Sequence, residues 1–300
     1  MRQSHGRVGL DLCQAYSNPL CRLAMQLQHD KPSFIFDYLR NKFMRPNKIK
    51  QMWNEGKSVT MGWLSLGHSF SAEVMARQGF DALCVDLQHG TYEMSSVLPM
   101  LQAIGQTETS PVVRVASNDS GDIMRALDLG AYTIIVPLIN TAQDAARAVA
   151  ACRYPPVGNR SSGPIRAIHY GGADYQAKAN DEILVFGMIE TKEGLENLEA
   201  ICATPGLDAI YIGPADLSLA LGLPPQGDNP HPLHMATCDK IRETAHRHGK
   251  KACMHCAAAP FAIGALKRGF DLVMLTSDVS CMIASARQQL AALKDGVAAK

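Results

Sequence analysis

The chain has 300 residues, 47% of them hydrophobic and 19% charged, the balance of a globular protein with enough apolar material for a sizeable core. A formal net charge of +1 gives neither the basic field of a nucleic-acid binder nor an acidic field for a cationic partner. No run is long and apolar enough to span a bilayer, and the first forty residues lack the charged-then-apolar order of a secretory signal.

Residues 1–43 show no clear period and are expected to form an extension outside the fold, disordered or the product of a mis-called start, with 44–300 as a single domain. "MRPNKIKQMWNEGK" (44–57) reads as a capping helix leading into the first strand. From Ser58 the chain alternates between two kinds of segment. "SVTMGWLSL" is a strand and "SAEVMARQGF" a helix; "DALCVDLQ" is a strand and "YEMSSVLPMLQAIGQ" a helix. "SPVVRVAS", "YTIIVPLI" and "EILVFGMIE" are strands three to five, followed by "SGDIMRALDLGA", "TAQDAARAVAACRY" and "KEGLENLEAICAT" as helices. Strand six is "LDAIYIG", with a short helix at "ADLSLALG" and a longer one at "HMATCDKIRETAHRHG". "KKACMHC" and "DLVMLTS" complete the strands, each with its helix. The strands are short apolar runs, as expected when both faces are buried. Gly and Asp mark the helix-to-strand turns in "RQGFDAL", "TPGLDAI" and "KRGFDLV".

Eight strand–helix units predict an α/β fold of the closed (β/α)8 (TIM) barrel type. An open doubly wound sheet would want a G-x-G-x-x-G turn after strand one, and "LSLGHSFSAE" has none. Residues 154–182, rich in Gly and Pro, are expected to form a long loop before strand five. Nine cysteines at irregular spacing predict free thiols in a reducing, cytoplasmic setting. "CMHC" (253–256) has no second pair to complete a zinc site and reads as buried or loop thiols.

In such a barrel the active site lies where strands end. Strand one carries Trp63; strand two delivers Asp86, Gln88 and His89; strand three ends with Arg114 and strand four at Pro137; strand five ends with Glu190; strand six runs into Gly213, Pro214, Ala215 and Asp216. Two carboxylates from adjacent strands supply hard oxygen ligands for Mg2+ or Mn2+. An arginine offers a fork for a carboxylate, and a histidine can move a proton near neutral pH. "IGPADLS" turns into a helix start, whose amides favour an anion. Together these groups suit a 2-oxo acid whose enolate is stabilised by a metal. Taken singly each is ordinary: a strand-end acid is commonly solvated, an arginine commonly pairs with a neighbour, and Asp128, late in a helix, reads as a surface acid. The coincidence at successive strand ends carries the functional reading. The lysine nearest the mouth, Lys192, reads as a solvated first-turn side chain, which disfavours a Schiff base.

"GWLSLGHSFSAEVMARQGFDALCVDLQHG", "PVVRV", "ALDLGAYTIIVP", "YPPVGNRSSGP", "MIETKEGLENL" and "IGPADLS" resemble, in order over about residues 58–280, the HpcH/HpaI family of metal-dependent pyruvate aldolases. The resemblance implies reversible cleavage of a 4-hydroxy-2-oxo acid to pyruvate and an aldehyde, in a homo-oligomer, often a hexamer, that exchanges its C-terminal helix. It implies a divalent metal (Mg2+, Mn2+ or Co2+) on Glu190 and Asp216, Arg114 on the pyruvyl group, and the amides of Ala215 and Asp216 on the carboxylate. His89 would be the base on the 4-hydroxyl with Asp128 as its acidic partner, and Trp63 would line the mouth, with Gln88, Gly213 and Pro214 beside the substrate. The sequence departs from the family in "DLQHGT", where the pattern is D-x-EHAP, and in Met188, where Gln is common, which leaves the aldehyde open. Three alternatives remain at this point: a citrate-lyase-like acyl-CoA lyase using Arg160 and Arg166, a macrophomate-synthase-like decarboxylating enzyme, and a barrel that binds without turnover.

Overall fold

The structure, a computed structural model, describes residues 43–298. The expected extension, apart from Phe43, lies outside them. Eight parallel strands pair in chain order and close into a barrel: β1 (Val59–Leu64), β2 (Ala82–Asp86), β3 (Ser110–Arg114), β4 (Thr133–Val136), β5 (Leu184–Ile189), β6 (Ala209–Ile212), β7 (Lys251–His255) and β8 (Leu272–Ser277). β1 closes on β8 with Val59 opposite Leu272, through a register shift between Met61 and Gly62.

The turns entering the strands explain the repeated Gly-x-Asp. Gly79 and Gly269 both have φ +94, a left-handed conformation that ends a helix and that side chains with a Cβ resist. The aspartate then serves the open lower edge of the sheet. Asp81 Oδ2 accepts from Thr60 N at 2.9 Å, Asp208 Oδ2 from Val185 N at 2.8 Å, and Asp271 Oδ2 from Ala252 N at 2.9 Å. Each carboxylate thus satisfies a strand-start N–H that would otherwise be unpaired.

A helix, α1 (Lys48–Asn54), closes the N-terminal end of the barrel. Asn47 caps it through Oδ1 and donates Nδ2 to the carbonyls of Tyr132 and Glu182, tying α1 to the starts of β4 and β5. Trp53 stacks on Phe186 at 5.5 Å and donates Nε1 to Asp271 O. The predicted capping helix is therefore present.

Residues 154–182 are not the loop expected from their glycines and prolines. They carry two helices, 165–171 and 175–182, because Tyr175 and Ala179 bury into the outer core and Arg160 is covered by Tyr154 and Tyr175. The described cysteines are free, with Cys253 and Cys256 buried. Burial pushes the Cys256 thiol up to about 12.

Inside the barrel, side chains alternate along the strands, apart from the irregularity where β8 meets β1, and those pointing inward form stacked layers. The uppermost layer from the odd strands is Trp63, Arg114, Met188 and His255, all of which line one cavity. The even strands supply the layer beneath: Cys84, Ile135, Tyr211 and Met274.

Candidate active site

The cavity opens at the C-terminal ends of the strands and has a volume of about 320 Å3. Of the expected residues, Trp63, His89, Arg114, Glu190, Gly213, Pro214, Ala215 and Asp216 line it. Period-two alternation explains Glu190: Phe186 and Met188 point inward on β5, so the residue one step beyond the strand does too.

Asp86 and Arg114, opposite one another in the β2–β3 register, form a fork-to-fork ion pair with Nε–Oδ1 2.7 Å and Nη2–Oδ2 2.6 Å. Trp63 Nε1 donates to Asp86 Oδ2 at 3.1 Å, and the Arg114 guanidinium lies 4.8 Å over the Trp63 ring. Burial would raise the Asp86 carboxyl, but the hydrogen bonds and charge of Arg114 outweigh it and hold the group below its ordinary value. Arg114 is thereby fixed, with Nη1 the nitrogen not committed to Asp86. Asp86 Oδ1 also accepts from the amides of Gln88 and His89, which shapes the turn that presents the His89 ring at the rim.

Glu190 is 3% exposed. Its Oε1 accepts from Leu138 N at 3.0 Å. That amide is aimed by a φ of +55 at Leu138, the one non-glycine with positive φ among the described residues, a strained conformation of the kind found at functional sites. Glu190 Oε2 lies against Gly213, where a Cβ would collide with it. Glycine at 213 is therefore what leaves room for the carboxylate. Burial pushes the Glu190 carboxyl from 4.5 up to about 7; the Leu138 amide lowers it, the Asp216 charge adds to the rise, and Arg114 opposes it. Asp216, in the first turn of the helix Pro214–Ala220, is exposed at the same cavity.

This donor set fits a hard divalent cation in part. Glu190 Oε2 and the Asp216 carboxylate are open to the cleft, and crowded negative charge in a buried place is relieved by a cation. Among the described residues no group of three or more His, Cys, Asp and Glu side chains stands ready to hold a metal, so further ligands would be substrate oxygens and water.

Two expected residues stand apart. Asp128 ends the helix Ser120–Asp128, which runs back from the top of β3 toward the N-terminal end of the barrel, and pairs with Arg160 at 2.8 Å. Within one chain it does not line the cleft beside His89. Gln88 is also outside the cavity lining, its Oε1 buried without a partner among the described residues. Lys192 is exposed and lies 3.9 Å from Glu196, away from the cleft. Sequence reasoning set an ion pair for Arg114 against a functional role; the structure pairs it with Asp86 and still leaves Nη1 uncommitted to that pair. Sequence reasoning overlooked His255, whose signal was inward phase with Cys253 on β7. The Leu138 amide left no sequence signal.

A family model described as HpcH/HpaI aldolase/citrate lyase matches residues 59–285. The chain belongs to the HpcH/HpaI aldolase/citrate lyase family. As a member of it, the protein is a lyase of the aldolase type. It is 40% identical to a hydroxypyruvate/pyruvate aldolase of Rhizorhabdus wittichii over 82% of this chain and 98% of that protein. It is 37% identical to a 5-keto-4-deoxy-D-glucarate aldolase of Escherichia coli over 84% of this chain and 98% of that protein. Among solved structures, an HpcH/HpaI aldolase/citrate lyase family protein of Burkholderia cenocepacia superposes with a TM-score of 0.77 at 33% identity, covering 83% of this chain and 99% of that one. No helix among the described residues is long and apolar enough to cross a membrane.

Proposed function

We propose that this HpcH/HpaI member is a metal-dependent aldolase that cleaves a 4-hydroxy-2-oxo acid to a pyruvate-type oxo acid and an aldehyde. The observation that carries the reading is the convergence of Glu190, Asp216, Arg114 and His89 on one cavity at the strand ends. Glu190 and Asp216 would hold Mg2+, Mn2+ or Co2+. The cation supplies positive charge beside the oxygens of the 2-oxo acid.

The chain's own groups do the rest. Arg114, locked by Asp86, presents Nη1 to the C2 oxygen, and the amides of Ala215 and Asp216 face the carboxylate. His89, exposed at the rim, takes the proton of the C4 hydroxyl. As the C3–C4 bond breaks, its electron pair stays with the oxo-acid fragment and spreads onto the C2 oxygen next to the guanidinium. The aldehyde leaves, and C3 is then protonated. Trp63 walls the floor and excludes water.

Release of the oxo acid from a panel of hydroxy-oxo acids tests the reaction. EDTA should silence it and a divalent cation restore it, while borohydride with pyruvate should trap no lysine adduct. Full activity in excess chelator would overturn the metal role. A barrel that only binds would show neither release nor exchange of the pyruvate methyl protons. The acyl-CoA alternative loses its rim: Arg160 is buried on Asp128 and Tyr175, and Arg166 donates to the carbonyls of Leu129 and Leu101.

The C-terminal helix Asp278–Ala298 leaves Met282, Ile283, Leu290, Leu293 and Val297 exposed. This supports a homo-oligomer, a hexamer on the family pattern, to be checked by light scattering.

A further inference from the structure

His255 ends β7 and lines the cavity, yet the reaction just derived gives it no part. Its ring meets the edge of Trp63 with centroids 4.8 Å apart, which fixes its plane. Nδ1 lies 3.1 Å from Tyr211 Oη. Tyr211 is fully buried, and its hydroxyl has no other hydrogen-bond partner among the described residues. The phenol proton must therefore go to Nδ1, since a buried O–H left unpaired is costly. With Nδ1 accepting, the ring proton sits on Nε2. Among the described residues Nε2 has no partner of its own. The histidine stays neutral because burial, helped by the Arg114 charge, lowers it to about 4. On the same side of the cavity β8 adds Thr276 and Ser277, followed by Ser280. The floor is thus apolar at Met188 and Trp63 and carries, besides Arg114, an oriented donor at His255.

We propose that His255 is a specificity-determining residue, donating Nε2–H to a hydroxyl oxygen that the substrate carries beyond its 2-oxo acid core, so that the enzyme prefers hydroxylated substrates. The inference rests on the aldolase reading of this cleft. The hydroxyl has two possible sources: C3 of the oxo-acid donor, as in hydroxypyruvate, or the aldehyde acceptor, as in glycolaldehyde. A site built to pair a hydroxyl rejects the analogue that lacks it, because the buried donor is then left unpaired.

The test measures kcat/KM in the bond-forming direction for the wild type, His255→Leu, His255→Gln and Tyr211→Phe. One arm compares hydroxypyruvate with pyruvate at fixed acetaldehyde; the other compares glycolaldehyde with acetaldehyde at fixed pyruvate. Deuterium exchange at the pyruvate methyl is followed in parallel. The wild type should favour the hydroxylated member of one arm. His255→Leu should lower that value about 10- to 100-fold and spare the unsubstituted partner. Methyl exchange should continue, since the donor lies outside the enolising groups. His255→Gln, which keeps a donor, should retain part of the preference. Tyr211→Phe should weaken the preference by freeing the tautomer while leaving the cavity shape intact, and it serves if the leucine variant fails to fold. The arm that responds names the source. Equal loss on every substrate, no change in either ratio, or no wild-type preference would overturn the proposal. Absence of methyl exchange in the wild type would instead overturn the aldolase reading itself.

Discussion

Glu190→Gln should make the metal-free protein more stable, by an amount set by pH. Glu190 is almost wholly buried, and burial together with Asp216 raises its carboxyl from 4.5 to about 7. The folded state therefore binds that proton more tightly than the unfolded chain. Stability falls as pH rises through the window from 4.5 to about 7 and levels off above it. The difference in proton affinity corresponds to about 3 kcal/mol at full ionisation. A glutamine keeps the oxygen that accepts from Leu138 N and carries no charge to desolvate. Urea denaturation in the presence of chelator, run from pH 4 to pH 8.5, should give similar stabilities at the acid end. A gap of about 3 kcal/mol in favour of the variant should open by pH 8. Adding Mn2+ should then close the gap from the wild-type side only, because binding to the folded state stabilises it by mass action. Parallel pH profiles for the two proteins, or a variant less stable at pH 8, would refute the argument that this carboxylate is held charged against a desolvation cost.

Other expectations follow from named contacts. Gly213→Ala places a methyl group where Glu190 Oε2 lies and should lower kcat about 100-fold or more with an unchanged circular dichroism spectrum. Asp86→Asn breaks the buried fork on Arg114 and should cost about 3–5 kcal/mol by denaturant titration, together with most of the turnover. His89→Ala should remove C–C cleavage in steady-state assays while leaving methyl-proton exchange by NMR, because a base at the 4-hydroxyl is needed only when that bond is made or broken. A chain starting at Met44 should fold as the full chain does, whereas Asn47→Ala in it should lose about 2 kcal/mol, since Asn47 caps α1 and joins it to β4 and β5.

The sequence by itself determined the barrel and its mouth. Eight buried strands alternating with helices allow few architectures, and parallel pairing in chain order follows from short right-handed crossovers. Strand-end position then placed Trp63, Arg114, Glu190 and Asp216 on one cavity, because period-two alternation and strand polarity are local properties readable without coordinates. Residues 154–182 show where composition misleads: glycine and proline suggested a loop, but burial of Tyr175 and Ala179 stabilises two helices. Only the tertiary structure decided which carboxylate does what. Asp86 and Glu190 are both acids at strand ends, yet one is locked onto Arg114 and the other stands against a glycine with a strained amide as its donor. The same holds for Asp128, which the direction of its helix carries away from His89 to Arg160, and for His255, which becomes an oriented donor only because Tyr211 from β6 takes its other nitrogen. These assignments depend on distances between residues far apart in the chain, which pattern and propensity do not encode.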